Sequence, residues 1–218
     1  VLLQKAGKRD CNYPAYSEET VLLRQGYRRI AGVDEAGRGA LAGPVVAAAV
    51  VLPPLMDIKR FSMVRDSKLL NERQRDEIFQ LMLDSDIEIG IGIISPEIID
   101  NINILNATRK AMKMALDRLI TPPDFVLTDA VMLKYIRIPQ KNIIDGDRQV
   151  LSIACASIAA KVTRDRIMLE LHATYPQYGF CNHKGYGTPE HLLCLKRYGA
   201  TKVHRFTFAP VRELSRII

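Results

Sequence analysis

Val45–Leu52 is a near-continuous apolar run, rich in Val and closed by Pro53-Pro54. Such a run predicts a strand buried on both faces. Shorter strands are predicted on either side of it. Arg29–Asp34 precedes a turn at Gly37-Arg38-Gly39, and Ile87–Ile94 precedes Ser95-Pro96. Asp124–Thr128 leads into Asp129, and Lys141–Ile144 ends at Asp145-Gly146-Asp147. Helical spacing runs over 72–84, capped by Asn71, with Ile78, Leu81 and Met82 on one face. It returns over 103–120, where Ile104, Thr108, Ala111, Met112, Ala115 and Leu119 share a stripe that Thr121-Pro122-Pro123 ends. Residues 150–173 form the longest helical pattern, and shorter helices are predicted near 189–198 and 211–217. A capping box at Ser17–Thr20 opens another that runs to Gln25 and stops at Gly26. Three strands, then helix–strand alternation, then helices predict an α/β fold: a mixed sheet flanked by helices with a small helical C-terminal extension. The expected division is a leader and short helix over 1–27, a core over 28–174 and a C-terminal helical part over 175–218.

Of the 218 residues 48% are hydrophobic and 25% charged, enough apolar material for a core and too much for a disordered chain. The longest uncharged apolar stretch, Pro44–Pro54, falls short of the ~18 residues of a membrane span. Lys5, Lys8 and Arg9 stand where a signal peptide needs its apolar segment. Val1 in place of an initiator Met reads as a trimmed start. Four scattered Cys call for no disulfide framework, so a reducing cytoplasm is the expectation, and the chain is expected to act as a monomer. The net charge of +7 is unevenly spread: residues 31–160 carry fifteen bases and seventeen acids, residues 161–218 ten bases and four acids. An acidic centre beside a basic C-terminal quarter suits a polyanion bound next to a metal–carboxylate site, although a solvated basic surface gives the same sum.

Asp34, Glu35, Asp129 and Asp147 each stand where a strand gives way to a turn. Neighbouring first and fourth strands would bring these carboxylates into one cluster, which is unfavourable without cations because like charges raise one another's pKa. Oxygen-only ligands select Mg²⁺ or Mn²⁺ over Zn²⁺, and a pair of such ions suits phosphodiester hydrolysis. The plain alternative is four solvated turn residues. Ser157, Lys161 and Arg164 fall at i, i+4 and i+7 of the long helix, one polar stripe on an Ala/Ile/Val helix. That stripe predicts a phosphate track or a solvated face, with Asp165 holding Arg164 or a neighbour in place. Lys68 is a second phosphate candidate.

Asp34-Glu35-Ala36-Gly37-Arg38-Gly39 lies inside a longer block from Ile30 to Gly39, followed by Leu41–Val46, Asp66-Ser67-Lys68 and Asn103–Thr108. Gly146-Asp147, Ala156-Ser157, Ala160–Asp165, Tyr175–Tyr178 and His183–Thr188 complete the series. Over roughly residues 18–213 the sequence resembles the ribonuclease HII family, the type 2 ribonucleases H. The resemblance implies a ribonuclease H-like catalytic core, a substrate-binding C-terminal part, and Asp34, Glu35, Asp129 and Asp147 as ligands of two catalytic ions. It implies cleavage of RNA strands in RNA–DNA hybrids and on the 5′ side of single ribonucleotides in duplex DNA, leaving 5′-phosphate and 3′-hydroxyl ends. A role in removing ribonucleotides or RNA primers from DNA goes with that activity. Gly37, Arg38 and Gly39 would read the ribose 2′-hydroxyl through closely approaching backbone groups, and Tyr186 would pack on the neighbouring sugar. Rival readings are another metal nuclease of this fold acting on DNA, and a non-catalytic hybrid-binding module.

Two decoys and two departures complete the reading. Gly37–Ala42 fits a dinucleotide fingerprint, but Pro44 and a Val-rich strand follow where that fingerprint needs a helix. Cys181, His183, His191 and Cys194 match no standard zinc spacing. His183 is expected near the substrate or as a supporting hydrogen-bonding group, and Cys155 in the core. Ala130 stands where many relatives carry Gly, and Asp145 where relatives often have Lys. Phe206–Ile218 holds no clear clamp-binding box.

Overall fold

The computed structural model describes residues 13–54, 57–134 and 136–214. Most of the expected leader and the end of the helix predicted at 211–217 lie outside the described residues. The strands are β1 (Ile30–Ala36), β2 (Val45–Val51), β3 (Glu88–Ile94), β4 (Phe125–Asp129) and β5 (Gln140–Ile143), and they form one sheet in the order β3-β2-β1-β4-β5. β1, β2 and β3 pair antiparallel, whereas β4 lies parallel to β1 and β5 parallel to β4. The helices are α1 (Ser17–Arg24), α2 (Glu72–Leu83), α3 (Pro96–Ile102), α4 (Ile104–Asp117), α5 (Gly146–Gln149), α6 (Leu151–Thr174), α7 (Phe180–His183), α8 (Pro189–Tyr198) and α9 (Ala209–Leu214). None is long and apolar enough to cross a membrane.

Every residue of β2 is buried because helices cover both faces of the sheet. Val45, Ala47, Ala49 and Val51 pack with Ala107, Ala111, Met112 and Ala115 of α4. Ala48 and Val50 pack with α6 and with Ile78 and Met82 of α2 on the other side. A central strand between two helical layers has no polar face to show, hence its unbroken apolar run. Gly32 lets α6 come close to β1: a Cβ there would lie 2.2 Å from the Ser152 carbonyl carbon. A third group, including Leu41, Met168, Tyr178, Phe180, Leu195, Val203 and Val211, gives the C-terminal segment its own packing against the loop after β1.

One helix is unexpected, and two local expectations differ from the structure. Ser95-Pro96, after β3, opens α3, since Ser95 accepts from the Ile98 N–H and proline fits the first helical turn. Asn103, at φ +64°, separates α3 from α4 and caps α4 by accepting from the Asn106 N–H. The capping box at Ser17 does not form: the Thr20 hydroxyl donates to the Tyr16 carbonyl, and α1 has no side-chain cap. Buried Glu19 of α1 instead accepts from the Ser152 N–H at the start of α6.

Candidate functional site

Parallel pairing of β1 with β4 puts the C-terminal ends of both strands at one edge of the molecule. Asp34 and Glu35 leave the end of β1, and Asp129 ends β4. α5 then brings Asp147 back beneath them, with the Gly146 N–H donating to Asp129 Oδ1 at 3.0 Å. Carboxylate oxygens of Asp34, Asp129 and Asp147 all lie within 4.8 Å of one another. Asp34 and Asp147 are buried, and Asp129 is half-buried. Glu35 stands at the rim of this trio. Its Oε1 accepts from Arg38 Nη1 at 3.1 Å, and its buried Oε2 has no hydrogen-bond partner.

The electrostatics follow from this crowding. Burial pushes the Asp34 carboxyl well above its ordinary pKa, and the charges of Glu35 and Asp129 add to the rise. Glu35 is also raised by burial, against the pull of Arg38. Asp129 is raised by burial, with Asp147 adding to it. Partial burial opposes the charge on Lys68, but Asp147 and Asp66 outweigh it and hold its pKa above normal; its Nζ stands 3.4 Å from Asp147. Three mutually repelling carboxylates, a fourth with an unpartnered oxygen, and only hard oxygen donors fit divalent cations of the Mg²⁺ or Mn²⁺ kind. Asp145, at φ +52°, is exposed and outside the trio. Ala130, at φ +52°, adopts the left-handed turn that glycine would make without strain.

The acids open onto a cleft of about 280 Å³, walled by Gly37, Arg38 and Gly39 on one side and by Lys68, Lys161 and Tyr186 on others. Tyr186 is 37% exposed, so it faces the cleft instead of sitting in the core. Gly37 sits at φ +89°, and a Cβ on it would meet Arg164 Nε at 1.9 Å, so fold and packing both demand glycine there. Gly39 differs: its φ lies outside the positive range and a Cβ would meet nothing within 4 Å. Nothing in the fold requires glycine at 39; what a side chain would obstruct is the open cleft.

The polar stripe of α6 divides. Ser157 is buried at the cleft floor, where its hydroxyl pairs with that of Ser67 at 3.0 Å. Lys161 reaches the cleft wall and pairs with Asp165 at 2.6 Å, and Arg75 also approaches Asp165. Arg164 is not on the phosphate track that its spacing suggested. It is fully buried, donating from Nε to the Pro44 carbonyl, from Nη1 to Lys184 and from Nη2 to Ala42. The loop after β1 covers this part of the helix and turns Arg164 into a brace beneath Gly37. Its guanidinium also lies 5.3 Å from the Tyr186 ring centre.

Other expectations resolve simply. Residues 37–42 open no helix. Among the described residues the one metal-suited cluster is the aspartate trio, so Cys181, His183, His191 and Cys194 make no zinc site. His183 is a supporting group, with Nε2 on the Tyr178 carbonyl and Nδ1 accepting from the Gly185 N–H. Cys155 is buried, its thiol pKa pushed up by burial. Ser67 escaped the sequence reading although it stands next to Lys68. Arg205, whose guanidinium grips the loop after β1, escaped because a lone Arg in a polar segment carries no local signal.

A profile for the family described as ribonuclease HII matches residues 31–211. The chain is similar to the ribonuclease HII of Dehalococcoides mccartyi, 48% identical over 205 residues that cover 94% of this chain and 97% of the relative. It is similar to that of Listeria monocytogenes at 52% over 197 residues, covering 89% and 73%. Among solved structures, the ribonuclease H2 of Pyrococcus horikoshii superposes with a TM-score of 0.74 at 26% identity, over 87% of this chain and 98% of that one. With its sheet order, its aspartate trio and this similarity along nearly the whole sequence, the chain belongs to the ribonuclease HII family.

Proposed function

We propose that this chain, acting as a monomer, is an endoribonuclease that hydrolyses RNA strands of RNA–DNA hybrids and cuts on the 5′ side of single ribonucleotides in duplex DNA. The products are a 5′-phosphate and a 3′-hydroxyl, and the role is removal of ribonucleotides or RNA primers from DNA. The observation that carries this reading is the juxtaposition of three aspartates within 4.8 Å, two of which line the cleft, and a loop on the same cleft whose Gly39 is required by neither backbone nor packing. Asp34, Asp129 and Asp147, with Glu35 at the rim, would hold Mg²⁺ or Mn²⁺. Bound there, the ions supply Lewis acidity that makes water nucleophilic and offsets charge on the phosphate.

The remaining roles fall to the chain's own groups. Backbone N–H and C=O groups of Gly37–Gly39 approach the minor-groove 2′-hydroxyl, which side chains reach poorly. The Tyr186 ring packs on the adjoining sugar and sets how deep the strand sits. Arg38, exposed at the loop tip, offers its guanidinium to the phosphate. Lys68 and Lys161 flank the acids and hold the backbone on either side, while Ser157 keeps Asp34 oriented.

The test is a DNA duplex with one ribonucleotide, incubated with and without Mn²⁺ or Mg²⁺ beside an all-deoxy control, with the ends mapped. Metal-dependent cleavage at the ribonucleotide alone, abolished by Asp129→Asn with binding retained, is the expected result. Cleavage of the all-deoxy duplex would replace this reading with a general DNA nuclease. Tight binding without turnover would replace it with a binding module.

A further inference from the structure

Two parts of the cleft that read the sugar are far apart in sequence, Gly37–Gly39 and Tyr186, and both are tied from behind to one short segment. Arg205 is fully buried, and among the described residues no carboxylate stands within ion-pairing distance of it. Its Nε and Nη2 donate to the Gly43 carbonyl at 3.1 and 3.0 Å, and its Nη1 donates to the Arg38 carbonyl at 2.8 Å. The Arg205 N–H donates to the Leu41 carbonyl, and the Gly43 N–H to Val203. Residues 203–205 therefore hold the bend at Arg38, Leu41 and Gly43, beside the ties that Arg164 and Gly185 make to Leu41 and Ala42. A buried guanidinium satisfied by backbone carbonyls rather than by a carboxylate fixes the direction of those carbonyls, and with them the peptide planes of the loop.

The neighbouring His204 reaches the other reader. The Thr201 N–H donates to His204 Nδ1 at 3.0 Å, which leaves the proton of the neutral ring on Nε2. His204 Nε2 lies 3.2 Å from His191 Nε2, and His191 Nδ1 lies 2.9 Å from the Tyr186 carbonyl. Only one proton order satisfies every contact: Thr201 N–H to His204, His204 Nε2–H to His191, and His191 Nδ1–H to Tyr186. Both rings are fully buried, and burial pushes their pKa values down to about 4, which keeps the pair neutral and the order intact at neutral pH.

We propose that His204 and Arg205, with His191 as relay, are positioning residues that set the distance between the Gly37–Gly39 loop and Tyr186, and so determine selectivity for ribose. This rests on the assignment of those two elements as the sugar readers. A reader that must distinguish one hydroxyl needs both walls fixed to a fraction of an ångström, and neither wall belongs to a helix or strand: one is a glycine loop, the other a bend between short helices. Among the described residues no hydrogen bond or ion pair joins Asp34, Asp129 or Asp147 to residues 203–205, so the effect of this segment falls on alignment and not on ion affinity.

The experiment compares Arg205→Lys, His204→Leu and His204→Gln with the wild-type chain on the one-ribonucleotide duplex. Arg205→Lys keeps the charge but loses the fork. His204→Gln keeps an N–H where Nε2–H was, and His204→Leu does not. The expected result for Arg205→Lys and His204→Leu is a loss of kcat of about tenfold or more with KM changed less than about twofold, since misplacement of groups at the reacting centre acts on the transition state. Mn²⁺ affinity stays at the wild-type value, and His204→Gln recovers most of the loss. A downfield exchange-protected imidazole N–H resonance accompanies activity, present in wild type and absent in His204→Leu. Unchanged kcat in Arg205→Lys and His204→Leu, loss of Mn²⁺ binding in step with kcat in either of them, or no recovery in His204→Gln overturns the proposal. Because the wild-type chain is assayed in parallel, its own failure to cut would instead overturn the assignment of the readers.

Discussion

Replacing Asp34 by Asn removes a charge from a crowded site, and the structure sets the size of the effect. Oxygens of Asp34, Asp129 and Asp147 lie within 4.8 Å. At an effective dielectric constant of about 20, two unit charges at that separation repel by roughly 3.5 kcal/mol. Asp34→Asn deletes two of the three pairs, roughly 7 kcal/mol if all three were ionised. Protonation has already relieved much of this, as the raised pKa values of Asp34 and Asp129 imply, and Lys68 beside Asp147 offsets more. The net gain for the metal-free protein is expected to be about 1–3 kcal/mol, or about 2–10 °C in midpoint for a chain of this length. Asn retains an oxygen for the Ser157 hydroxyl, so that hydrogen bond survives the change. The assay is thermal unfolding in chelator and in excess Mn²⁺, across pH. Wild type should gain about 2.7 kcal/mol from ions at a hundredfold excess over Kd, and the variant far less. Because the folded-state pKa of Asp34 is raised, the metal-free wild type loses stability as pH rises through that value, and Asp34→Asn should show a shallower loss. A variant that melts in chelator at or below the wild-type temperature would refute the electrostatic account of the site.

Ala130→Gly should stabilise the protein by about 0.5–1 kcal/mol in urea unfolding, because a left-handed L-residue costs about 1 kcal/mol and the exposed side chain has no packing to lose. Gly37→Ala should lower kcat/KM about a hundredfold while circular dichroism shows the fold retained, since the new Cβ collides with Arg164 and displaces the loop. Lys161→Ala, in an Asp129→Asn background that binds without cutting, should reduce the slope of log affinity against log salt by about one if Lys161 meets a phosphate. An unchanged slope would leave Lys161 as the partner of Asp165 alone.

Periodicity and punctuation alone determined most of the elements. The unbroken run at Val45–Val51 forces a strand with two covered faces, and the Ala-rich spacing at 104–117 forces a helix with one. Both signals live in a few consecutive residues, so they survive without knowledge of the rest of the chain. The acids were legible as well, because each stands beside a strand end or turn, and their convergence followed once β4 lay parallel to β1. Three things needed the tertiary structure. Glu35, one residue along from Asp34, lines the same cleft but ends at the rim rather than in the trio, its Oε1 held by Arg38. Ser157, Lys161 and Arg164 do share a helix face, but spacing says only which residues share it, not what lies over it. The loop from Leu41 to Pro44 covers one end, so Arg164 became a brace while Lys161 kept the cleft. The tie from Thr201 through His204 and His191 to Tyr186 joins residues whose rings meet only after α7, α8 and the last loop have packed, and short-range sequence carries no trace of it.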